Sequence, residues 1–323
     1  MSYLPISHQK FSCNKSHVFI IQAKVMNKFH QTQANFSLDA KAGGANNLET
    51  MKQESTPLIL EASDGTRLAY RVRQAAPEAP VIALVHSLGM DHRFWDPVAL
   101  SLGGRATLVT IDARGHGRSG LGQTPVTAQR MADDLAEVLD HLGVPSVIVG
   151  GASMGGCIAL QFAGSHPHRT SGLALMDTTA WYGPTAPKDW EDRALNAQAK
   201  GLASMVDFQK TRWFSDSFRA NHPKIVQATI DTFVANDLQG YMAACRMLGG
   251  FDSRPLLTKV RIPSLLLVGE EDYATPVAMT QAMHEGIAGS RMEVILGARH
   301  LTPLEVPDRV GAALIDLCSK VLR

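Results

Sequence analysis

Three residues that lie far apart along the chain have the types needed for nucleophilic attack on a carbonyl carbon. Ser153 is the middle residue of Gly151-Ala152-Ser153-Met154-Gly155, a G-x-S-x-G pentapeptide, and Asp272 and His300 follow it in that order. A serine hydroxyl is a weak nucleophile near neutral pH, so it needs a base, and the base needs an acid that orients it. The sequence therefore predicts Ser153 as nucleophile, His300 as general base and Asp272 as orienting acid.

The surroundings of Ser153 make the pentapeptide informative. Average composition would produce the pattern by chance in about one chain of this length in ten. Here a predicted strand, Ser146–Gly150, precedes it and a helical pattern follows, which is the context that a nucleophile turn requires. The sharp turn needs small neighbours, which Gly151, Gly155 and Gly156 supply. The alternative is a glycine-rich strand-to-helix turn with an incidental serine.

The acid and the base are assigned from their positions after predicted strands. Asp272 follows a buried strand and His300 follows the last strand, so a rigid sheet can aim both side chains at one point. Glu270 and Glu271 are competitors for the acid, and Asp177, at the end of an earlier strand, is another. Of the twelve histidines, His300 is the one whose position completes the order of the three groups.

Two backbone N–H groups are expected to stabilise the negative oxygen that forms during attack on a carbonyl. One belongs to Met154, the residue after the nucleophile. The other belongs to Leu88, in the loop after the third predicted strand. Backbone donors do not depend on the side chain, so a methionine and a leucine are compatible with this role.

From Pro57 onward, short β-rich runs alternate with helical patterns. The runs are Leu58–Glu61, Arg67–Val72, Val81–His86, Thr107–Asp112, Ser146–Gly150, Gly172–Met176, Ser264–Val268 and Met292–Leu296. The helical patterns cover Thr127 to about Leu142, Ser153–Ser165, Pro276–Ile287 and Pro307–Leu322. Continuous apolar runs are typical of parallel strands covered on both faces. The alternation predicts an α/β fold with a mostly parallel eight-stranded sheet flanked by helices.

One region interrupts the alternation. Residues 178–258 contain helical patterns rich in aromatic residues and no strand-like run, so we predict a helical cap inserted after the sixth strand. Such a cap would lie over the carboxyl ends of the strands, where open sheets bind ligands. The predicted domains are an extension at 1–55, the two core segments 56–177 and 259–323, and the cap at 178–258.

The first 55 residues differ in composition from the rest of the chain. They are rich in Asn, Gln, Ser and Lys, and we predict a mostly disordered extension without catalytic residues. A mitochondrial targeting segment and a true start at Met51 are alternatives.

Composition excludes several classes of protein. The chain carries 31 basic and 30 acidic side chains, for a formal net charge of +1. This balance argues against nucleic-acid binding and against attachment to a membrane surface. The four cysteines lie far apart and lack metal-binding spacing, which fits a reducing compartment. We therefore expect a cytoplasmic protein with no structural metal.

One motif suggests a cofactor but lacks the necessary context. Residues 115–120 satisfy G-x-G-x-x-G after a predicted strand. A dinucleotide site needs a helix that begins within the motif, whereas here Pro125 intervenes and the helical pattern begins near Thr127. We expect no cofactor.

Taken together, these motifs resemble the α/β-hydrolase fold superfamily and, more narrowly, the 3-oxoadipate enol-lactonases. The resemblance is carried by Ser87-Leu88-Gly89, Phe94-Trp95-Asp96-Pro97, Asp112-Ala113-Arg114-Gly115-His116-Gly117-Arg118-Ser119, Gly151-Ala152-Ser153-Met154-Gly155-Gly156, Trp213-Phe214, Gly240-Tyr241 with Cys245, and His300-Leu301 with Glu305 and Pro307. The N-terminal extension, Asp177 and Gly249-Gly250-Phe251 depart from the family pattern. The resemblance implies hydrolysis of a lactone or ester through an acyl-enzyme.

The resemblance also suggests how a substrate would be bound. If the substrate carries a carboxylate, Arg193 and Arg212 of the cap are its candidate partners, and Trp95, Trp181 and Trp213 are candidates to line the pocket. The expected partner is a small-molecule ester or lactone, with the protein a monomer or homodimer. A carboxylesterase for acyclic esters and a hydrolase-like ligand receptor are the alternatives.

Overall fold

The computed structural model describes residues 56–322, so the predicted extension at 1–55 lies outside the described residues. Eight strands form one sheet in the order β1-β2-β4-β3-β5-β6-β7-β8. The strands are β1 Leu58–Glu61, β2 Arg67–Arg73, β3 Val81–Val85, β4 Thr107–Ile111, β5 Val147–Ala152, β6 Thr170–Met176, β7 Ser264–Gly269 and β8 Arg291–Ile295. β2 pairs antiparallel with β1 and β4, and the other neighbours are parallel.

The predicted α/β fold is confirmed. Each predicted strand is present, with β5 and β6 slightly longer than expected because they extend to Ala152 and begin at Thr170. Every residue of β4, β5 and β7 is buried. Their nearly continuous apolar sequences suit strands that are covered on both faces.

The helices follow the predicted alternation. They are α1 Asp96–Leu102, α2 Ala128–His141, α3 Met154–Ser165, α4 Ala186–Lys200, α5 Val206–Trp213, α6 Asp216–Asn221, α7 Pro223–Val234, α8 Leu238–Gly249, α9 Arg254–Leu257, α10 Val277–Gly286, α11 Thr302–Glu305 and α12 Pro307–Val321. Short 3₁₀ turns cover His92–Trp95, Pro167–Arg169 and Leu202–Met205. In the described part of the chain, no helix is both long and apolar enough to cross a bilayer.

The helices α4 to α9 all lie between β6 and β7 and form the cap. α4 packs against α8, and the Arg193 Nε of α4 donates a hydrogen bond of 2.7 Å to the Tyr241 hydroxyl of α8. Within the cap, β-pairing of the backbone is limited to a single bridge between Trp181 and Asp252. The insertion therefore comes directly after β6, at the carboxyl edge of the parallel strands.

Buried polar groups fix the loop that follows β3. Asp112, just after β4, accepts hydrogen bonds from the His92 backbone N–H at 2.6 Å and from the His92 Nδ1 at 2.7 Å. The His86 Nε2 accepts a bond of 3.0 Å from the Ala113 N–H. Burial alone would raise the pKa of Asp112, but the hydrogen bond from His92 lowers it below its usual value. The loop that carries Leu88 is thus anchored at both of its ends.

Candidate active site

Ser153 occupies the sharp turn between β5 and α3. Its φ of 53° lies in the left-handed region, which a residue with a side chain adopts only when its surroundings enforce it. A Cβ on Gly155 would lie 1.9 Å from the Val85 carbonyl oxygen, and one on Gly151 would lie 2.2 Å from the Gly155 carbonyl carbon. The turn therefore requires glycine at both positions, as the pentapeptide suggested.

The His300 imidazole connects the Ser153 hydroxyl to the Asp272 carboxylate. Its Nε2 lies 2.9 Å from the Ser153 Oγ, and its Nδ1 lies 2.8 Å from the Asp272 Oδ2. Only 6% of Ser153, 5% of His300 and 3% of Asp272 is exposed. Because a carboxylate can only accept, the Nδ1 carries the proton that it donates to Asp272, and the Nε2 is free to accept from the serine hydroxyl.

The Asp272 carboxylate is held by its own loop as well as by His300. Its Oδ1 accepts hydrogen bonds from the Ala274 N–H at 2.7 Å and the Thr275 N–H at 2.9 Å, and its Oδ2 accepts one from the Thr275 hydroxyl at 2.8 Å. Burial raises the pKa of Asp272, but His300 and these donors outweigh burial and lower it. The carboxylate is therefore ionised at neutral pH.

The three competing acids have other partners. The Glu270 carboxylate accepts from the Gly297 N–H, and the Glu271 carboxylate pairs with the Arg299 Nε at 3.2 Å. Asp177, the third of these acids, is fully buried. In each case the acid's hydrogen bonds fix loops at the carboxyl edge of the sheet.

Asp177 joins the loops on which Asp272 and His300 lie. Its Oδ1 accepts from the Gly269 N–H at 3.2 Å, and its Oδ2 accepts from the Thr302 N–H at 2.9 Å and hydroxyl at 2.7 Å. Burial and the nearby charge of Asp272 raise the pKa of Asp177 well above its usual value. The residue also has a positive φ, of 47°. It is thus a strained, buried acid that spans both loops.

Ser153 and His300 face a small pocket that the cap covers. Its lining comprises Ser87, Leu88, Ser153, Tyr182, Trp190, Arg193, Gln209, Arg212, Trp213, Thr275 and His300. Of the residues that the sequence predicted for substrate contact, Arg193, Arg212 and Trp213 are brought to this pocket.

Trp95 and Trp181, which the sequence also predicted as pocket residues, are not among those that line it. Trp95 is fully buried, edge-on to Phe94 with ring centroids 4.9 Å apart. The Trp181 ring stacks under the Arg254 guanidinium, whose carbon lies 3.8 Å from the ring centroid. The first indole packs into the core and the second faces a surface arginine, so the structure brings neither of them to the lining of this pocket.

Five lining residues were not predicted as site residues from the sequence, and one of them, Ser87, directly precedes the predicted donor Leu88. Two had a local signal: Thr275 lies three residues after Asp272, a spacing that allows a side-chain turn, and Gln209 lies one helical turn before Arg212. Tyr182 and Trp190 had none. Gln209 is 1% exposed, and neither polar atom of its amide has a hydrogen-bond partner in the part of the chain that the structure describes.

The pocket carries positive charge without acidic partners. Within residues 56–322, no carboxylate oxygen lies within 4.0 Å of the Arg193 or Arg212 guanidinium. The Arg193 guanidinium instead lies 5.1 Å from the Trp190 ring centroid, and that of Arg212 lies 5.8 Å from the Phe208 centroid. Burial and the like charge of Arg193 lower the pKa of Arg212. Such a pocket favours an anionic ligand.

The two backbone donors predicted from the sequence lie in segments next to the nucleophile. Leu88 lines the pocket, and Met154 is the first residue of α3, where N–H groups have no partner within the helix. Among the described residues, neither N–H donates to a protein acceptor. Both are therefore available to a bound group.

One group of side chains in the described residues has the spacing to hold a metal ion, namely Asp91, His92 and Asp112. Its carboxylates are already engaged, because Asp91 contacts the Arg93 guanidinium at 2.6 Å and Asp112 accepts from His92 and from the Arg118 N–H. These bonds make the group an anchor for the loops around it.

The comparison with known proteins places the chain in a family. The sequence profile of the alpha/beta hydrolase fold matches residues 80–307. The chain belongs to this α/β-hydrolase family. It is 34% identical to 3-oxoadipate enol-lactonase 1 of Acinetobacter baylyi over 78% of this chain and 93% of that protein.

Solved α/β-hydrolase structures agree with this placement. The enol-lactonase from Burkholderia xenovorans LB400 is 29% identical, with a TM-score of 0.77 over 81% of this chain and 100% of that one. A thermophilic esterase from Thermogutta terrifontis, solved with malate bound, is 30% identical, with a TM-score of 0.77 over 83% of this chain and 99% of the esterase.

Substituting Gly155→Ala tests whether the turn that carries Ser153 requires a glycine at this position. The new Cβ meets backbone that cannot move aside, so we expect the free energy of unfolding to fall by at least about 3 kcal/mol. The control is Gly250→Ala, where the nearest atom lies 3.8 Å away, and we expect a change within about 0.5 kcal/mol. Denaturant unfolding measures both, and equal losses would contradict the account.

Proposed function

We propose that this chain hydrolyses carboxylic esters through an acyl-enzyme on Ser153, and that its substrate is a lactone that carries a carboxylate. The observation that carries the proposal is the pair of buried hydrogen bonds that joins the Ser153 hydroxyl, His300 and Asp272. The family supports ester hydrolysis in general, and similarity to proteins named enol-lactonases supports a lactone.

In the proposed first half of the reaction, the Ser153 Oγ attacks the carbonyl carbon while the His300 Nε2 takes its proton. Asp272 stabilises the imidazolium that results and keeps the ring oriented. The negative carbonyl oxygen accepts hydrogen bonds from the Leu88 and Met154 N–H groups, and each such donor is worth about 3 kcal/mol of transition-state stabilisation. The ring C–O bond then breaks, and the leaving oxygen takes the proton from His300.

The second half returns the enzyme to its starting state. In a lactone the leaving oxygen stays tethered to the acyl group, so the opened ring remains attached to Ser153. His300 then takes a proton from water, whose oxygen attacks the ester carbon. The Ser153 Oγ leaves with the proton from His300, and the free acid departs.

The carboxylate of the substrate is assigned to Arg212, with Arg193 and Gln209 beside it. All three lie in the lining, and the guanidinium of Arg212 has no acidic partner in the described residues. A planar guanidinium matches a carboxylate through two parallel hydrogen bonds. The similar Thermogutta esterase was solved with malate bound, and because malate is a dicarboxylate this is compatible with an anionic ligand here.

Replacing Ser153 with alanine tests the acyl-transfer proposal. We expect kcat/KM to fall by at least about 10⁴-fold, because the group that forms the covalent bond is removed. The measurement uses a panel of enol-lactones, saturated lactones and acyclic esters.

The same panel separates the alternatives. Wild-type turnover of acyclic esters alone would assign the chain as a carboxylesterase. A single slow modification without multiple turnover would indicate a receptor. Undiminished turnover by Ser153→Ala would contradict the proposed nucleophile.

The variant Arg212→Gln tests the carboxylate assignment. We expect KM for a lactone that bears a carboxylate to rise by about 10-fold to 100-fold, because a charge-assisted hydrogen bond is lost. For the methyl ester of the same carboxylate, we expect a change within about threefold.

Lys210→Gln is the matched control, since it removes one positive charge from the same helix at an exposed position where Lys210 pairs with Asp207. Its effect on both substrates should stay within about twofold. If Arg212→Gln raises KM for the charged and the neutral substrate by the same factor, the substrate carboxylate does not bind at Arg212.

A further inference from the structure

The segment after β6 brings a phenol to the nucleophile. Tyr182 lines the pocket together with Ser153 and His300. Its hydroxyl oxygen lies 3.8 Å from the Sγ of the buried Cys157, whose backbone N–H donates to the Ser153 carbonyl oxygen at 3.1 Å. The steps proposed above for Ser153 and His300 do not use this phenol.

The strand order fixes the side of the nucleophile on which Tyr182 lies. Ser153 follows β5, which pairs with β3 on one side and with β6 on the other. Leu88 comes after β3, whereas Tyr182 comes after β6, and His300 comes after β8, on the same side as β6. In the mechanism proposed above, the Leu88 N–H draws the carbonyl oxygen toward the β3 side, which leaves the leaving oxygen on the side of β6, where His300 must reach it.

The phenol is a hydrogen-bond donor at neutral pH. Burial raises the pKa of Tyr182 well above its usual value, and the neighbouring Cys157 thiol adds to this effect. The positive charge of Arg212 acts in the opposite direction without cancelling the rise. Tyr182 therefore stays protonated while protons move between Ser153, His300 and the substrate.

We propose that the Tyr182 hydroxyl donates a hydrogen bond to the leaving oxygen of the scissile ester, and that this bond extends the substrate class to lactones and esters with alkoxide leaving groups. The inference rests on the proposed acyl transfer from Ser153. Once the Ser153 Oγ has bonded to the carbonyl carbon, the leaving oxygen is two bonds away from Oγ. A donor that lines the same pocket as the Ser153 Oγ can then reach it.

The proton balance of the step is unchanged by this contact. The C–O bond breaks with both electrons going to the leaving oxygen, and His300 supplies the proton that the oxygen takes up. Tyr182 keeps its own proton and stabilises the charge that develops before transfer is complete. An aryl or enol oxygen stabilises that charge itself, whereas an alkoxide does not, so the poorer leaving group gains more from the phenol.

The test compares Tyr182→Phe with the wild-type enzyme on esters of one acid whose leaving groups range from 4-nitrophenol through phenol to methanol, and on a saturated lactone. The measured quantity is kcat/KM, which reports steps up to acylation. We expect a loss within about threefold for the 4-nitrophenyl ester and of about 10-fold to 100-fold for the methyl ester and the lactone, as the loss of a hydrogen bond to a charged oxygen predicts.

Two further variants complete the design. Tyr273→Phe removes an exposed phenol hydroxyl, and any change that it causes in kcat/KM should be the same for every leaving group. Tyr182→Leu also lacks the hydroxyl but packs differently, so it should reproduce the dependence of Tyr182→Phe even if the size of its overall loss differs. Phosphonate titration of Ser153 normalises each preparation to its folded fraction.

A loss by Tyr182→Phe that is uniform across the leaving groups, or no loss, would overturn the inference while leaving the acyl-transfer proposal intact. Failure of the acyl-transfer proposal itself would give a different result. If the wild-type enzyme cleaves none of these substrates, or if Ser153→Ala cleaves them as well as wild type, the proposed function itself is wrong.

Discussion

The hydrogen bond between the His300 imidazole and the buried Asp272 carboxylate is the interaction on which the rest of the site depends. It fixes which ring nitrogen carries the proton and thereby leaves the other nitrogen to accept from Ser153 at 2.9 Å. A buried carboxylate is stable only if its lone pairs are occupied. The short loop from Asp272 to Thr275 supplies two backbone N–H groups and a hydroxyl for that purpose.

Other strained or buried groups serve the same arrangement. Ser153 and Asp177 are the two described residues other than glycine that have a positive φ, and both follow parallel strands at the carboxyl edge of the sheet. Strain of this kind persists where neighbours enforce it, and it concentrates at functional sites. Asp177 ties together the loops of Asp272 and His300, so one buried acid fixes the distance between two segments that are remote in sequence.

The strands, the cap and the positions of Ser153, Asp272 and His300 could be predicted because each depends on local pattern or chain order. What could not be predicted depends on the direction of a loop in space. Trp181 and Tyr182 are adjacent, yet Tyr182 faces the pocket while Trp181 stacks on Arg254. The spacing of Gln209 from Arg212 was a local signal for its place on the same helix face, but only the packed cap shows that its buried amide has no partner in the described residues.

If His300 makes the Ser153 hydroxyl nucleophilic, the loss of the imidazole must slow the phosphonylation of that hydroxyl. We would treat the wild-type chain and a His300→Ala variant with a serine-directed fluorophosphonate and follow the adduct on the Ser153 peptide by mass spectrometry. We expect one adduct per chain, at Ser153, that forms at least about 1000-fold more slowly in the variant. Equal rates in the two proteins, or an adduct on another serine, would contradict it.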